Sequence, residues 1–534
     1  MNRIKNIILY IMIAGLLVSL SGCDAVDKIK DKMNSDTKSD TPVAVENKIE
    51  DDVSNSISVG LFDFDTFNPL LTHAETVKEC MQFVYEPLFD VNEYYMPVPV
   101  LAADYAISPD GRTIDIAMKD NVLWHDGSYF TAYDAEYTIR QIRSGITMYT
   151  SNLLAVEDCK ATDDHTLQIV LRYAVPEFVS LLTFPIVPNR TDMSMNAQFI
   201  PNGPGAFRFE TQMNAEKMVF RAFDNYHNGK ALIDSLYAYI VPDFGKYETM
   251  FEASEIDLMT GETVDLSEYT PRGSAKNNEY ITNKLTFVGY NLRNEALWGA
   301  QTRRGISELI DKESIVNSII YSRGVACDIP INPTSLFYYD TNTRFKPDEM
   351  LATDLLGNDG WGIDEKGQYT RTVNGTKQYL KFQILTNSDS AEKLGIATAV
   401  SKSLESFGIE TEIDAVPYDK YIEKVNSKKF DIMIGEIEVG ANLDLYPLIA
   451  AENNYFSYQN TDLDTLSGQI GMTRDEEQLK ELFRQYGNMV IDDMPFTPLF
   501  FRKGYVLSSS KIKSAAPPSA ARQFRMVETW SVKE

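Results

Sequence analysis

Four histidines, three mid-chain cysteines and the adjacent aspartates Asp163-Asp164 are side chains whose types could carry chemistry in this sequence. Their spacing does not assemble a catalytic centre. His73, His125, His165 and His227 are scattered, without the short intervals of a zinc site. Cys80, Cys159 and Cys327 show no metal-type spacing and cannot form a disulfide framework; at most one pair could bridge, and small buried hydrophobes describe them better. No H-E-x-x-H, G-x-S-x-G, C-x-x-C or P-loop occurs. Asp163-Asp164 could pass for paired catalytic carboxylates, but they stand between strand-like runs and suit a turn. Asp110-Gly111 and Asp126-Gly127 read the same way, with Asp closing a turn and Gly supplying positive φ. The expectation is a protein that is not an enzyme and holds no metal or cofactor.

Cys23 differs from the other cysteines. Arg3 and Lys5 form a short basic start, and Ile7 to Leu20 is uncharged and mostly apolar. That run is shorter than the roughly 20 residues of a membrane-spanning helix and suits a secretory signal. It ends in Leu20-Ser21-Gly22-Cys23, which resembles the lipobox of bacterial lipoproteins. The resemblance implies cleavage after residue 22 and acylation of the Cys23 thiol. Residues 24–50 are rich in Lys, Asp, Ser and Thr with little apolar periodicity, the composition of a flexible tether. The expected place is the outer face of the bacterial cytoplasmic membrane, with the lipid anchored in the bilayer.

The 534 residues exceed what one hydrophobic core organises, so two or three lobes are expected. Residues 1–50 carry equal numbers of acidic and basic side chains, so the whole formal charge of -27 sits on the remainder. A body this acidic repels phosphate backbones, which excludes nucleic acid as a partner.

The elements that must position any site begin near Ser56. Ile57, Val59 and Leu61 alternate as a strand, and Val77 to Leu88 reads as a helix. Tyr105 to Met118 reads as strand, turn and strand around Ser108-Pro109-Asp110-Gly111, and Thr131 caps a following helix. Ile306 to Ile320 has the spacing of one apolar helical face. Leu380–Leu385, the helix Leu394–Phe407 and Ile409–Ile413 predict a right-handed parallel crossover, with Gly408 ending the helix. Phe430 to Ile434 reads as a buried strand. The class is α/β.

From Ser56 onward the order of motifs resembles the peptide/nickel-type solute-binding proteins, extracellular family 5 of the ABC importers. Ser108-Pro109-Asp110-Gly111 and the run Asn121 to Ala135 (NVLWHDGSYFTAYDA) carry the densest match. Phe67-Asn68-Pro69, Val84-Tyr85-Glu86-Pro87-Leu88-Phe89, Ala161 to Thr166, Asn202 to Phe207, Asp224 to Lys230, Glu255-Ile256-Asp257, Arg304 to Ile315 and Pro495 to Leu499 follow collinearly. The resemblance implies a two-lobed periplasmic-binding-protein (type II, Venus-flytrap) fold with an extra α/β subdomain in lobe one. Lobe one is expected over 56–291 with the subdomain at about 76–199, lobe two over 292–493, and a return to lobe one over 494–534. Residues 23–55 would be the acylated cysteine and tether, and crossovers near Asn291 and Asp493 the hinge.

The resemblance also implies a monomer that binds an oligopeptide and delivers it to the permease subunits of an ABC importer. The same fold could carry a nickel chelate, a sugar or an opine-like compound, or serve as an extracellular enzyme or a peptide sensor without transport. Ligand contacts are expected where lobe elements reach the cleft: Phe62, Asp63, Phe64 and Thr66 after the first strand, Gly203 and Gly205, Tyr290 and Asn291, and Glu436 to Pro447. In peptide-binding relatives an aspartate after the strand near Phe430 pairs with the ligand's amino terminus. Asp444 is the expected equivalent here, with Asn442 and Glu438 in reserve; capping a helix at Leu445 is the other role open to Asp444.

Overall fold

The alternating run at Ser56 becomes the central parallel strand of a large sheet, and the elements around it follow in two sets. The first set is β1 (Ser56–Leu61), α1 (Glu75–Met81), β2 (Ala102–Ile107), β3 (Thr113–Met118), α2 (Ala132–Ser144), β4 (Val156–Ala161), β5 (Thr166–Leu171), β6 (Phe207–Gln212), β7 (Lys217–Ala222), β8 (Ser235–Ile240) and β9 (Leu258–Gly261). The second is β10 (Lys276–Tyr290), α3 (Ala300–Glu308), β11 (Gly324–Ala326), β12 (Lys381–Asn387), α4 (Ala391–Ser406), β13 (Glu410–Val416), β14 (Ile432–Glu438), α5 (Thr461–Met472), α6 (Glu476–Asp493) and β15 (Phe496–Ser508). This computed structural model describes residues 54–62, 64–92, 94–145, 147–194, 199–212, 216–261, 275–341, 345–443, 445–449 and 454–533. Cys23, the segment 24–50, Asp63 and Asp444 lie outside the described residues.

The main sheet runs β13-β12-β14-β10-β15-β9-β1-β8-β7-β6, with β11 added to β15. Two strands make it continuous across two lobes. At one end, Lys276–Ile281 of β10 pairs with Lys503–Ser508 of β15, which also pairs with β9. At the other, Lys284–Tyr290 pairs with β14 while Leu285–Gly289 stays on β15. The register shifts between Ile281 and Leu285, so both strands change lobe in mid-strand. Asn291 and Asp493, the expected crossovers, instead stand at the lobe-two ends of these strands. Pairing with β14 already commits residues from Lys284 onward to lobe two.

A separate four-stranded antiparallel sheet, β2-β3-β5-β4, packs with α2 on lobe one and shares its core. The turn Ser108–Gly111 joins β2 to β3, with Ser108 Oγ donating to Asp110. Thr131 and Asp134 close a reciprocal capping box on α2, because Asp134 accepts from the Thr131 backbone N–H at 2.9 Å. In lobe two, alternation along β10 and β14 divides the apolar residues between two cores. Leu285, Phe287 and Met433 enter one; Val288, Ile432 and Ile434 enter the other. β12, α4 and β13 form the expected parallel crossover, and Gly408 adopts φ +78 after the helix. Cys80, Cys159 and Cys327 are buried free thiols.

Two helices are shorter than their periodicity predicts. α1 stops at Met81, and the chain turns before Pro87, whose ring disfavours a helical residue ahead of it. The run from Ile306 breaks after α3 because Asp311 accepts the Ser314 N–H at 2.7 Å and caps a new turn.

Candidate functional site

The site is built on α1. Val77, Cys80 and Met81 bury one face of this helix, leaving Lys78 and Gln82, four residues apart, on a neighbouring stripe. The loop before α1 is fixed by Asp65, which accepts from the Thr72 hydroxyl and the His73 N–H, both at 2.6 Å. Gln82 then anchors the C-terminal segment. Its Nε2 donates to Gln523 Oε1 at 2.9 Å, its Oε1 accepts from the Phe524 N–H at 3.2 Å, and its carbonyl accepts from the Arg522 guanidinium at 2.9 Å. Arg522 therefore sits at the C-terminal end of α1, where the helix dipole favours a cation. Lys78 lies 5.9 Å from the centroid of the Tyr149 ring.

Lobe two supplies the opposite side. β14 ends at Glu438, and Val439 to Ala441 continue along the cavity. The shift in β10 presents Asn283, whose Oδ1 accepts from Asn332 Nδ2 at 3.1 Å. Between the lobes lies a cavity of about 230 Å³. Lys78, Gln82, Asn152, Asn283, Glu438 and Arg522 supply its charged groups and side-chain amides, and Tyr85, Tyr149, Leu181 and Pro185 supply apolar surface. Burial pushes the Tyr85 phenol well above its usual range, and its oxygen accepts the Asn202 N–H at 3.1 Å. Burial also raises the Tyr149 phenol, against the lowering effect of Lys78 and with a further rise from Glu438. Such a cavity can hold a solute carrying both signs of charge by ion pairs and hydrogen bonds.

The family model of the bacterial extracellular solute-binding proteins, family 5, matches residues 96–451. The chain belongs to this family. The oligopeptide-binding protein AppA of Bacillus subtilis is 23% identical, over 82% of this chain and 84% of its own. The nickel-binding periplasmic protein of Escherichia coli is 22% identical, over 83% of this chain and 89% of its own. Among solved structures, HbpA2 of Haemophilus parasuis superposes with a TM-score of 0.77 at 18% identity, covering 90% of this chain and 100% of that one. The fold is thus the two-lobed periplasmic-binding-protein fold. A solute-binding protein of this family works outside the cytoplasm with an ABC permease, and binds its substrate without transforming it.

In this solute-binding protein the expected ligand residues separate sharply. Glu438 lines the cavity. Glu436, two residues earlier on β14, is taken up by Lys393, Arg502 and Thr286. Asn442 is buried and donates to the Pro176 carbonyl of lobe one at 3.0 Å, so it joins the lobes. Phe62 packs on Phe244 and Tyr247, Phe64 packs on Phe67, and Thr66 is buried with its hydroxyl accepting the Asn68 N–H. Their rings and hydroxyl serve lobe one, because the chain after β1 folds back on α1 instead of ending at the cleft.

Gly203 and Gly205 do permit a close backbone approach, but to Val84. A Cβ at Gly203 would stand 1.8 Å from the Val84 carbonyl oxygen, and Gly205 N–H donates to that oxygen at 2.9 Å. Tyr290 is buried with its hydroxyl 2.6 Å from Thr497, and Asn291 donates to the Lys428 and Phe430 carbonyls. Both hold lobe two together. The residues missed were Lys78, Gln82, Asn152, Asn283 and Arg522. The i,i+4 pair Lys78/Gln82, beside the apolar face of Val77, Cys80 and Met81, was the signal that could have found the first two.

Proposed function

We propose that this protein captures peptides for its importer and is held at the outer face of the cytoplasmic membrane by acylated Cys23. The observation that carries the peptide reading is the charge arrangement of the cavity. Lys78 and Arg522 lie on the α1 wall, and Glu438 comes from lobe two. A peptide carries a carboxylate, an ammonium and amide groups between them. Gln82, Asn152 and Asn283 offer hydrogen-bonding groups to those amides. The oligopeptide-binding name of the Bacillus subtilis relative supports the same reading. With one carboxylate and no histidine or cysteine among the cavity's described lining residues, the donor set suits a bare transition metal poorly. Ligand would link the two walls and so favour the closed lobes by population shift.

Native mass spectrometry of the full-length protein extracted from membranes tests this. Peptide masses that dissociate on activation are expected; a single non-peptide solute in their place overturns the assignment. The anchor has its own test. Cys23→Ala should release the protein from the membrane fraction, and a variant that stays as firmly bound as the wild type after signal removal defeats the lipoprotein reading.

A further inference from the structure

The ribbon that follows Leu88 starts in lobe one and ends inside lobe two. Its strands, Phe89–Val91 and Pro97–Pro99, pair antiparallel. Its base is fixed in lobe one: Phe89 is buried in that core, stands edge-on to Tyr105 and donates its N–H to the Leu182 carbonyl at 3.2 Å. The tip lies elsewhere. Tyr95 is only 4% exposed and belongs to the same buried cluster as Leu285, Ile331 and Phe337 of lobe two. The Tyr94 carbonyl accepts the Leu336 N–H at 3.0 Å, and the Tyr95 hydroxyl accepts from Asn332 Nδ2 at 2.7 Å. Phe337 is itself stacked on Phe483 of α6, with ring centroids 4.4 Å apart, so the receiving surface is tied to the body of lobe two.

Neither side depends on the other for its shape. Asn332 Nδ2 also donates to the Thr282 carbonyl at 2.9 Å and to Asn283 Oδ1 at 3.1 Å, and Asn332 Oδ1 accepts the Thr334 N–H at 3.0 Å. In the ribbon, Asn92 Oδ1 accepts the N–H groups of Tyr94 at 2.9 Å and Met96 at 3.0 Å, which closes the turn. Separating tip from socket costs the burial of one aromatic ring and two hydrogen bonds, and leaves both turns intact.

Two further features bear on what this contact does. Tyr95 has φ +65, a left-handed backbone that is uncommon for a bulky residue and persists where the surroundings hold it. Thr282 and Asn283, which share the Asn332 amide with Tyr95, fill the interval where β10 shifts register and changes lobe. The tip therefore acts on the hinge itself.

We propose that Tyr95 is a latch at the hinge, which keeps the lobes closed in most molecules before any solute is bound. Solute enters through the minority of open molecules, and it holds shut a cleft that the chain already favours closing. The latch lies outside the peptide reading and works for a solute of any class.

Spin-label distance measurements on the full-length protein extracted from membranes test this. Labels go on Lys160→Cys in lobe one and Lys402→Cys in lobe two, both exposed positions, while Cys80, Cys159 and Cys327 are buried. Solute is removed by dialysis in guanidinium and refolding, and native mass spectrometry verifies that the protein is empty. The empty wild type should show mostly the separation of the closed lobes. Tyr95→Ala should move the closed-to-open ratio about tenfold or more towards open. Tyr95→Phe keeps the ring and loses the bond to Asn332, and should move it by about threefold. An empty wild type that is mostly open, or Tyr95→Ala as closed as wild type, overturns the latch. Should Tyr95→Ala fail to fold, equal ratios in wild type and Tyr95→Phe defeat it.

Discussion

The polar groups behind the cavity wall and those on it obey different rules, and two carboxylates of β14 display the difference. Glu436 and Glu438 are two residues apart, so their side chains leave the same side of the strand. Glu436 accepts from Lys393 at 2.9 Å, from Arg502 at 2.5 Å and from Thr286 at 2.8 Å. Arg502 also bridges to Glu392, which lies 3.8 Å from Arg323. The cluster ties β10, β14, β15 and α4 together beside the place where β10 and β15 change lobe. Glu438 has no such partner among the described residues and stands in the cavity. Residue type and the face of the strand are the same for the two. What separates them is whether the fold itself supplies the counter-charge or leaves that to a ligand.

Breaking the satisfied side should have the largest effect. Arg502→Met leaves Glu436 and Glu392 short of a counter-charge within a partly buried cluster, and a loss of about 3 kcal/mol is expected. Burial works against ionisation of Glu436, but Lys393 and Arg502 outweigh it and hold this carboxyl well below the usual carboxylate range. A depressed folded pKa contributes stability above the unfolded value and loses it as pH falls. The variant should therefore differ most from wild type at neutral pH and converge with it in acid. Urea unfolding followed at pH 7 and pH 3.5 measures both. Equal midpoints at pH 7 would remove the cluster from the architecture.

The same distinction explains what was legible in the sequence. Turn and cap chemistry is local, so Ser108–Gly111, the Thr131 cap, Asp126-Gly127 and Gly408 could each be assigned from a few neighbours. The collinear motifs gave the family and fold. They did not give the site, because those motifs mark places where backbone meets backbone. Gly203 and Gly205 are glycines for the sake of Val84. His125, in the densest motif, clasps that same loop. The cavity wall is assembled from α1, residues 148–152 and 181–185, Asn283, the end of β14 and the segment 520–522, pieces far apart in sequence. The polar side chains on that wall need no special φ, so they leave no motif. Arg522 in particular is defined by its contact with Gln82, across 440 positions.

A second prediction probes the satisfied side through pH. His125 accepts the Gly203 N–H on Nδ1 at 3.3 Å and donates from Nε2 to the Gly205 carbonyl at 2.9 Å, which fixes the neutral tautomer. Burial pushes its pKa down from 6.5 to about 4, against the raising effect of the Gly205 carbonyl. The unfolded chain thus takes up this proton near pH 6.5 and the folded chain only near pH 4. Stability from this residue is complete above pH 6.5 and is lost as pH falls towards 4, by roughly 2–3 kcal/mol over the window. His125→Gln should flatten the stability profile between those limits relative to wild type. Parallel profiles for the two proteins would show that the ring does not titrate as its burial requires.

The smallest expected effect is the most discriminating. Glu438→Gln removes a charge from the same strand as Glu436, by the same chemistry, yet the fold asks nothing of that charge. It is exposed, and no described residue pairs with it. The change in unfolding free energy should stay within about 0.5 kcal/mol. Glu436→Gln, measured beside it, should be destabilised and should lose part of the stability that falls away in acid. Without ligand the two substitutions are then separated by several-fold in stability. A destabilisation of Glu438→Gln comparable to that of Glu436→Gln would mean that the carboxylate has a structural partner, and that the cavity wall is built like the region behind it.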